Sequence, residues 1–511
     1  MSVNSPSRTK DISMSSAFRG FLQQALRLGH DERANISIIF AMALLPILSA
    51  IGCAVDYTQA TRLRSKLQSA ADAASVASIS QQSLGYNAAL QMTSDGTVQV
   101  AVEEATKLFN GNAANSLGYT NLSLNAQVTK TGVKLAATVA FSADVPTTFM
   151  TVVGYRKLTV TGTSKSTSSL PPYLDFYLML DVSGSMGLPS TDAEQTRLAA
   201  INPDNYKQYP NGCTFACHFT SASSCPAANQ KYNTNGSCMG YPMSRVSYSG
   251  VKKLLTNNGG KLPSSLLSSL TAVTSCPTDG SDTCIQLRAD AVGAAVQQLL
   301  VTANATQKTP NQFRIGLYPF VRYLYAYSPL TASINGSPTT PGTINYAAAN
   351  LASQLDTGAN ASLGSGGTHF ENAFPTMNGI ITSVGDGSAS NKTQPYVFLI
   401  TDGAQNPQVY WNGSWSGSNS ATTMDTSKCT TLKSRGIIVS VLYIPYQPIQ
   451  NPTSFANSED FYANANIPKI PPSLQACASP GYFYTANSPA DITAALNAMF
   501  NHALVTAHIT N

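Results

Sequence analysis

Residues Tyr173–Gly187 read YLDFYLMLDVSGSMG, and the abrupt change of character at Asp181 decides how the surrounding chain is read. Phe176–Leu180 carries no charge, lies between Pro172 and a Ser/Gly turn, and is too short for a helix. It is predicted to be a buried strand. Past it, Asp181, Ser183 and Ser185 form D-x-S-x-S. That places one carboxylate and two hydroxyls on a loop at a strand's C-terminal end, where open α/β sheets bind ligands. Three hard oxygens suit Mg²⁺, Ca²⁺ or Mn²⁺ better than zinc.

Two later stretches extend the pattern. Tyr396–Ile400, YVFLI, is a second buried-strand run and ends at Thr401, Asp402 and Gly403; between the two runs, Gly366, Gly367 and Thr368 set a hydroxyl on a glycine loop ahead of a helical stretch. Asp, two Ser, Thr and Asp in that order resemble the metal-ion-dependent adhesion site (MIDAS) of von Willebrand factor A domains. The resemblance implies a Rossmann-like α/β domain over 173–505. It also implies an ion touched by the hydroxyls of Ser183, Ser185 and Thr368 and held by Asp181 and Asp402 directly or through water. A partner's carboxylate would complete an octahedron. Thr368 follows the serines much later than in that family, which implies an insertion at about 188–283.

Composition bounds the rest. The 511 residues allow about two to four domains. A net charge of +5, with no basic stretch interleaved with aromatics, excludes a nucleic-acid-binding reading. Of nine cysteines, Cys53 sits in an apolar segment, while Cys213, Cys217, Cys225, Cys238, Cys276, Cys284, Cys429 and Cys477 all follow residue 200. An even set of eight predicts four disulfides in an oxidising compartment. Cys429 is expected to pair with Cys477 and the other six within the insertion. Cys213–His218, CTFACH, has one residue too many between its cysteines for haem c attachment; zinc through Cys213, Cys217 and His218 is the alternative to a disulfide staple.

Asn35–Val55 supplies 21 consecutive uncharged residues, enough for a membrane-spanning helix despite Pro46. A cleaved signal would lie nearer the start, and a lipoprotein signal would want leucine where Ala50 precedes Cys53, so an uncleaved anchor is predicted. Arg19, Arg27 and Arg33 before the span balance Arg62, Arg64 and Lys66 after it. The oxidised cysteines break the tie: residues 1–34 form a cytoplasmic tail and the C-terminal part lies outside the cytoplasm. Tyr57, Ala60, Leu63, Leu67, Ala70, Ala71 and Ala74 then recur at helical spacing and are expected to pack on their own domain. Leu122–Val128 and Val133–Phe141 alternate as a hairpin, Leu158 and Val160 add a strand, and residues 166–172 read as a Ser/Pro linker. In outline, 56–165 resembles a pilin.

The segments ANISIIFAMALLPILSAIGCAVDY, QSAADAASVAS and VPTTFMTVVGYRKLTVTGTS resemble the TadE/TadG-like N-terminal region of Flp (tight adherence) pilus assembly proteins, and an A domain behind that anchor matches the TadG-like arrangement. The resemblance implies a non-enzymatic, single-pass protein of a bacterial inner membrane with periplasmic C-terminal domains. Its partner would be a pilus-assembly protein offering an acidic side chain, with no small-molecule substrate. A surface adhesin binding host or matrix protein is the alternative, and a metal-dependent hydrolase a further one. The hydrolase lacks a nucleophile and base that spacing can assemble; His369 and Glu371 supply none.

Overall fold

The structure, a computed structural model, describes residues 35–202, 240–260, 269–356, 360–411, 414–418, 420–446 and 457–509. The N-terminal tail and Cys213, Cys217, His218, Cys225 and Cys238 lie outside these ranges. The chain divides into two compact units. The first comprises residues up to 89, 95–130 and 135–168, and the second comprises 90–94, 131–134 and the chain from 169 onward.

The first unit is built on helix α1 (Asn35–Ala77), 43 residues that carry the uncharged run and the alanine-rich stretch without interruption, Pro46 included. It is long and apolar enough to cross a membrane. After α2 (Leu84–Gln91), β1 (Gly96–Thr97) and α3 (Gln99–Ala113), the strands β2 (Thr120–Thr131), β3 (Lys134–Pro146) and β4 (Lys157–Ser169) complete a sheet of order β1-β2-β3-β4. Ala60, Leu63, Leu67, Ala70, Ala71 and Ala74 pack with Phe109 of α3, Val139, Phe141 and Val145 of β3 and Val160 of β4. This is the helical stripe meeting the alternating faces of the strands. Tyr57, expected on that stripe, is exposed, because the neighbouring Asp56 is the residue turned toward the β3–β4 connection. Residues 166–169, expected to be linker, instead continue β4. No Gly or Pro interrupts them, and the hydroxyls of Ser164 and Ser166 bond Ser75 of α1 at 2.9 and 2.8 Å.

The second unit is a mixed α/β layer structure. Its strands are β5 (Leu174–Asp181), β6 (Phe313–Phe320), β7 (Ser328–Thr331), β8 (Gln394–Thr401), β9 (Ile438–Tyr443) and β10 (Phe483–Thr485), in the order β10-β9-β8-β5-β6-β7. All neighbours are parallel except β7 on β6. Every residue of β5 is buried, as expected of a central strand covered on both faces. Period-two geometry sends Phe176, Leu178 and Leu180 to one face, against α4 (Arg288–Thr306) and α8 (Pro489–Ile509). Tyr177 and Met179 face the other side, with α5 (Phe370–Ile380), α6 (Ser427–Ser434) and α7 (Ile470–Cys477). Phe176 anchors the first face, with the rings of Phe313, Tyr396, Phe398 and Phe500 centred 5.2–6.2 Å away. Cys429 and Cys477 join α6 to α7, and Cys276 is joined to Cys284 eight residues on.

Candidate metal centre

Strands β5 and β8 are parallel neighbours with Leu180 opposite Ile400, so both chains turn out of the sheet at the same end. That register brings Asp181 and Asp402 to one place, and both are buried. Asp181 is well supplied with donors. One carboxylate oxygen accepts the Ser183 backbone N–H at 3.0 Å, and the other accepts the Thr401 hydroxyl at 2.6 Å. Thr401 Oγ1 accepts in turn from the Gly403 N–H at 2.8 Å. The Ser183 and Ser185 hydroxyls lie 3.3 Å apart, and Ser185 is only half-buried, which opens this corner to solvent.

Asp402 differs. Both of its carboxylate oxygens are buried without a hydrogen-bond partner of good geometry. The Ser185 hydroxyl and the Ala404 backbone N–H favour its charged form without closing such a bond. The nearest cation is Arg288, the first residue of α4, whose Nη1 lies 3.5 Å from Asp402 Oδ2 and is itself buried without a hydrogen-bond partner. The other guanidinium nitrogen donates to the Pro445 carbonyl at 3.1 Å. Gly403 fixes the carboxylate's position: its φ is +80°, and a Cβ there would meet Ile470 Cγ2 at 2.5 Å.

Burial, with the charge of Asp402 adding to it, pushes the Asp181 carboxyl up to about 7 against the donors around it. Burial also pushes Asp402 up, with Arg288 opposing. Two buried carboxylates that disfavour each other's charge, beside two hydroxyls, are stabilised by a cation. The donors are all oxygen, so the residues fit a hard divalent ion. Among the described residues, no three His, Cys, Asp or Glu side chains gather into a metal-binding group. A metal here would therefore depend on hydroxyls.

Thr368 is buried on a loop tied to the same edge by main-chain bonds. The next residue's N–H donates to the Val321 carbonyl at 3.0 Å, and Asp356 bridges the Val182 carbonyl and the Gly366 N–H at 2.9 and 3.0 Å. Gly367 lets the loop approach closely, since a Cβ would sit 1.9 Å from the Asn406 carbonyl oxygen. His369 is held on both sides, by Glu371 at 2.6 Å and the Gln408 carbonyl at 3.0 Å. Three members of the constellation escaped the sequence: Arg288, Thr401 as a donor, and Asp356. Thr401 could have been found from its place beside Asp402 on the strand end. Arg288 gave only a charge at the start of a largely apolar helix, with Asp290 two residues on, and Asp356 gave no signal.

Residues 34–81 match the family model described as putative Flp pilus-assembly TadE/G-like. No curated protein sequence matches the chain. Distant structural likenesses include the pilus adhesin SpaC of Lactobacillus rhamnosus GG, at 13% identity and TM-score 0.31, covering 75% of this chain and 34% of that one. The chain thus spans about a third of that adhesin's length. The von Willebrand factor domain of the type V pilus tip protein Mfa5 of Porphyromonas gingivalis is similar at 11% identity and TM-score 0.29, covering 66% and 97%. Proximal thread matrix protein 1 of the mussel byssus, in a form with a zinc-occupied MIDAS motif, is similar at 16% identity and TM-score 0.23, covering 42% of each chain. The family match falls on the N-terminal segment that contains the apolar helix and its alanine-rich continuation, and there the chain is similar to putative Flp pilus-assembly TadE/G-like proteins.

Proposed function

We propose that the chain is a non-enzymatic, membrane-anchored component of Flp pilus assembly. In this reading its second unit is a von Willebrand factor A domain that docks a protein partner through a divalent cation. The observation that carries the reading is Asp402, a carboxylate buried at the sheet's C-terminal edge with neither oxygen in a hydrogen bond of good geometry, next to Asp181 and the Ser183 and Ser185 hydroxyls. Asp181, Ser183, Ser185, Thr368 and Asp402 would hold Mg²⁺, or Ca²⁺ or Mn²⁺ in its place. The bound ion would supply an open position for an Asp or Glu of the partner. Asp181 orients the loop through its bonds to the Ser183 N–H and Thr401, and the half-buried Ser185 leaves the approach open. Coordination across such a face is worth most when the incoming carboxylate is desolvated on docking. Both His369 nitrogens are engaged, by Glu371 and the Gln408 carbonyl, so this imidazole is not a free base at the site, which favours docking over a histidine-assisted hydrolysis. The anchor and oxidised cysteines support an inner-membrane protein with its C-terminal units in the periplasm.

The test is capture of pilus-assembly components by the tagged full chain from detergent-solubilised membranes. Wild type in Mg²⁺ should retain them; chelator, or the Ser183→Ala, Ser185→Ala double variant, should release them. Capture indifferent to both would remove the ion from the mechanism. Binding of host or matrix protein without any membrane component would favour the adhesin instead.

A further inference from the structure

Within the first unit, the β3–β4 connection is an apolar turn pressed against the membrane-crossing part of α1. Residues 147–155, TTFMTVVGY, form a 3-10 turn over Met150–Val153 closed by Gly154. The turn is secured at one point. Asp56, immediately after the uncharged run, accepts the backbone N–H groups of Thr148, Phe149 and Met150 at 3.1, 2.8 and 2.7 Å. One helical turn earlier, Gly52 is buried beneath Phe149, and a Cβ on it would lie 2.5 Å from Phe149 Cβ. Gly52 stands three residues before the end of the uncharged run, or about 5 Å along the helix axis. The turn therefore meets α1 at a depth that belongs to the membrane.

What the turn shows to the outside is apolar. Val152 is 82% exposed and Tyr155 62%, and Val153 and Phe149 are about half exposed. On α1 itself, Ile51 and Val55 are exposed beside it. Four large apolar side chains in a preordered nine-residue turn are costly in water. At the boundary of a bilayer the same arrangement is favourable: Phe and Val enter the acyl region, Tyr155 sits at headgroup level, and the following Arg156 reaches phosphate. We infer that residues 149–155 are a second membrane contact, an interfacial wedge whose occupant is lipid, which holds the first unit at a fixed tilt on the bilayer beside its anchor. This rests on reading α1 as a membrane span.

Bromolipid quenching in proteoliposomes of the full chain separates the two readings. With Trp411 and Trp415 replaced by phenylalanine, single tryptophans are placed by Val152→Trp in the wedge, Ile47→Trp in the span and Leu84→Trp beyond the far end of α1. The stretch of α1 from Asp56 to Ala77 sets that last position about 30 Å away. Blue-shifted emission at Val152→Trp, with quenching approaching that of Ile47→Trp and none at Leu84→Trp, is the expected result. In Gly52→Leu, whose side chain lifts Phe149, quenching at Val152→Trp should fall while that at Ile47→Trp is kept. Quenching at Ile47→Trp alone overturns the wedge and leaves the span standing, and a blue shift at Val152→Trp without quenching assigns the turn to a protein contact and also overturns it. No quenching at Ile47→Trp overturns the span and the wedge with it.

Discussion

The two units bury their carboxylates in opposite ways. In the first, Asp56 accepts three backbone N–H groups, and Asp144 accepts Lys157, Asn121 and Thr159 at 2.7, 3.1 and 2.8 Å. Hydrogen bonds from Lys157, Asn121 and Thr159 hold Asp144 down to about 2. In the second unit, Asp181 and Asp402 are buried against each other and their carboxyls are pushed up. A carboxylate furnished with donors and far from a like charge is part of the scaffold. A buried pair that oppose each other's charge, one of them with neither oxygen in a hydrogen bond of good geometry, stores a charge imbalance that a ligand can relieve, which distinguishes a site from a brace.

The largest contrast concerns how each unit is held. Breaking the Cys429–Cys477 bond frees a span of 48 residues. Replacing both by serine should lower the second unit's stability by about 4 kcal/mol, read by denaturant unfolding, with the first unit's transition unmoved. Equal loss in both units would erase the distinction. Next is the ion: Mg²⁺ at about a hundred times its Kd should stabilise the second unit by about 2.7 kcal/mol in thermal melts. Asp402→Ala should abolish that gain while leaving the first unit unchanged. A smaller effect comes from Arg288, whose charge partly neutralises Asp402. Arg288→Met should tighten Mg²⁺ binding by about tenfold, or about 1.4 kcal/mol; weaker binding would show that the guanidinium supports the site.

The gentlest probe is pH, where the signs differ. Asp144 has its pKa lowered from 3.8 to about 2, so its contribution is present above 3.8 and lost as pH falls toward 2. Asp181 has its pKa raised from 3.8 to about 7, so without an ion its contribution is present below 3.8 and lost as pH rises to about 7. Acid should therefore weaken the first unit and relieve the ion-free second one. Protons should compete with Mg²⁺ below about pH 7. Parallel pH profiles for the two units would break the comparison.

Much of the fold was legible because the signals were local. The alanine stripe of α1 showed its period in the sequence, and β5 and β8 announced themselves as short uncharged runs ending at Asp181 and Asp402. The continuation of β4 through residues 166–169 was not legible, since serine and threonine read as linker until Ser75 is seen to receive Ser164 and Ser166. In the site, residue types at strand ends could be read, but their electrostatic company could not. Arg288 comes to Asp402 from 114 positions away in the sequence, by the packing of α4 against the sheet. Asp56 likewise shows its role only once the turn at 148–150 folds back onto α1. Long-range partners of a charge have no sequence period.

The most direct measurement is calorimetric titration of Mg²⁺ into the disulfide-intact full chain in detergent, with Ser183→Ala, Ser185→Ala as the comparison. Saturable binding of about one ion per chain, lost in the double variant while its melting profile in chelator stays that of wild type, is the expected result. No heat of binding from the folded wild type, or the same isotherm from the variant, would contradict a cation held between Asp181 and Asp402.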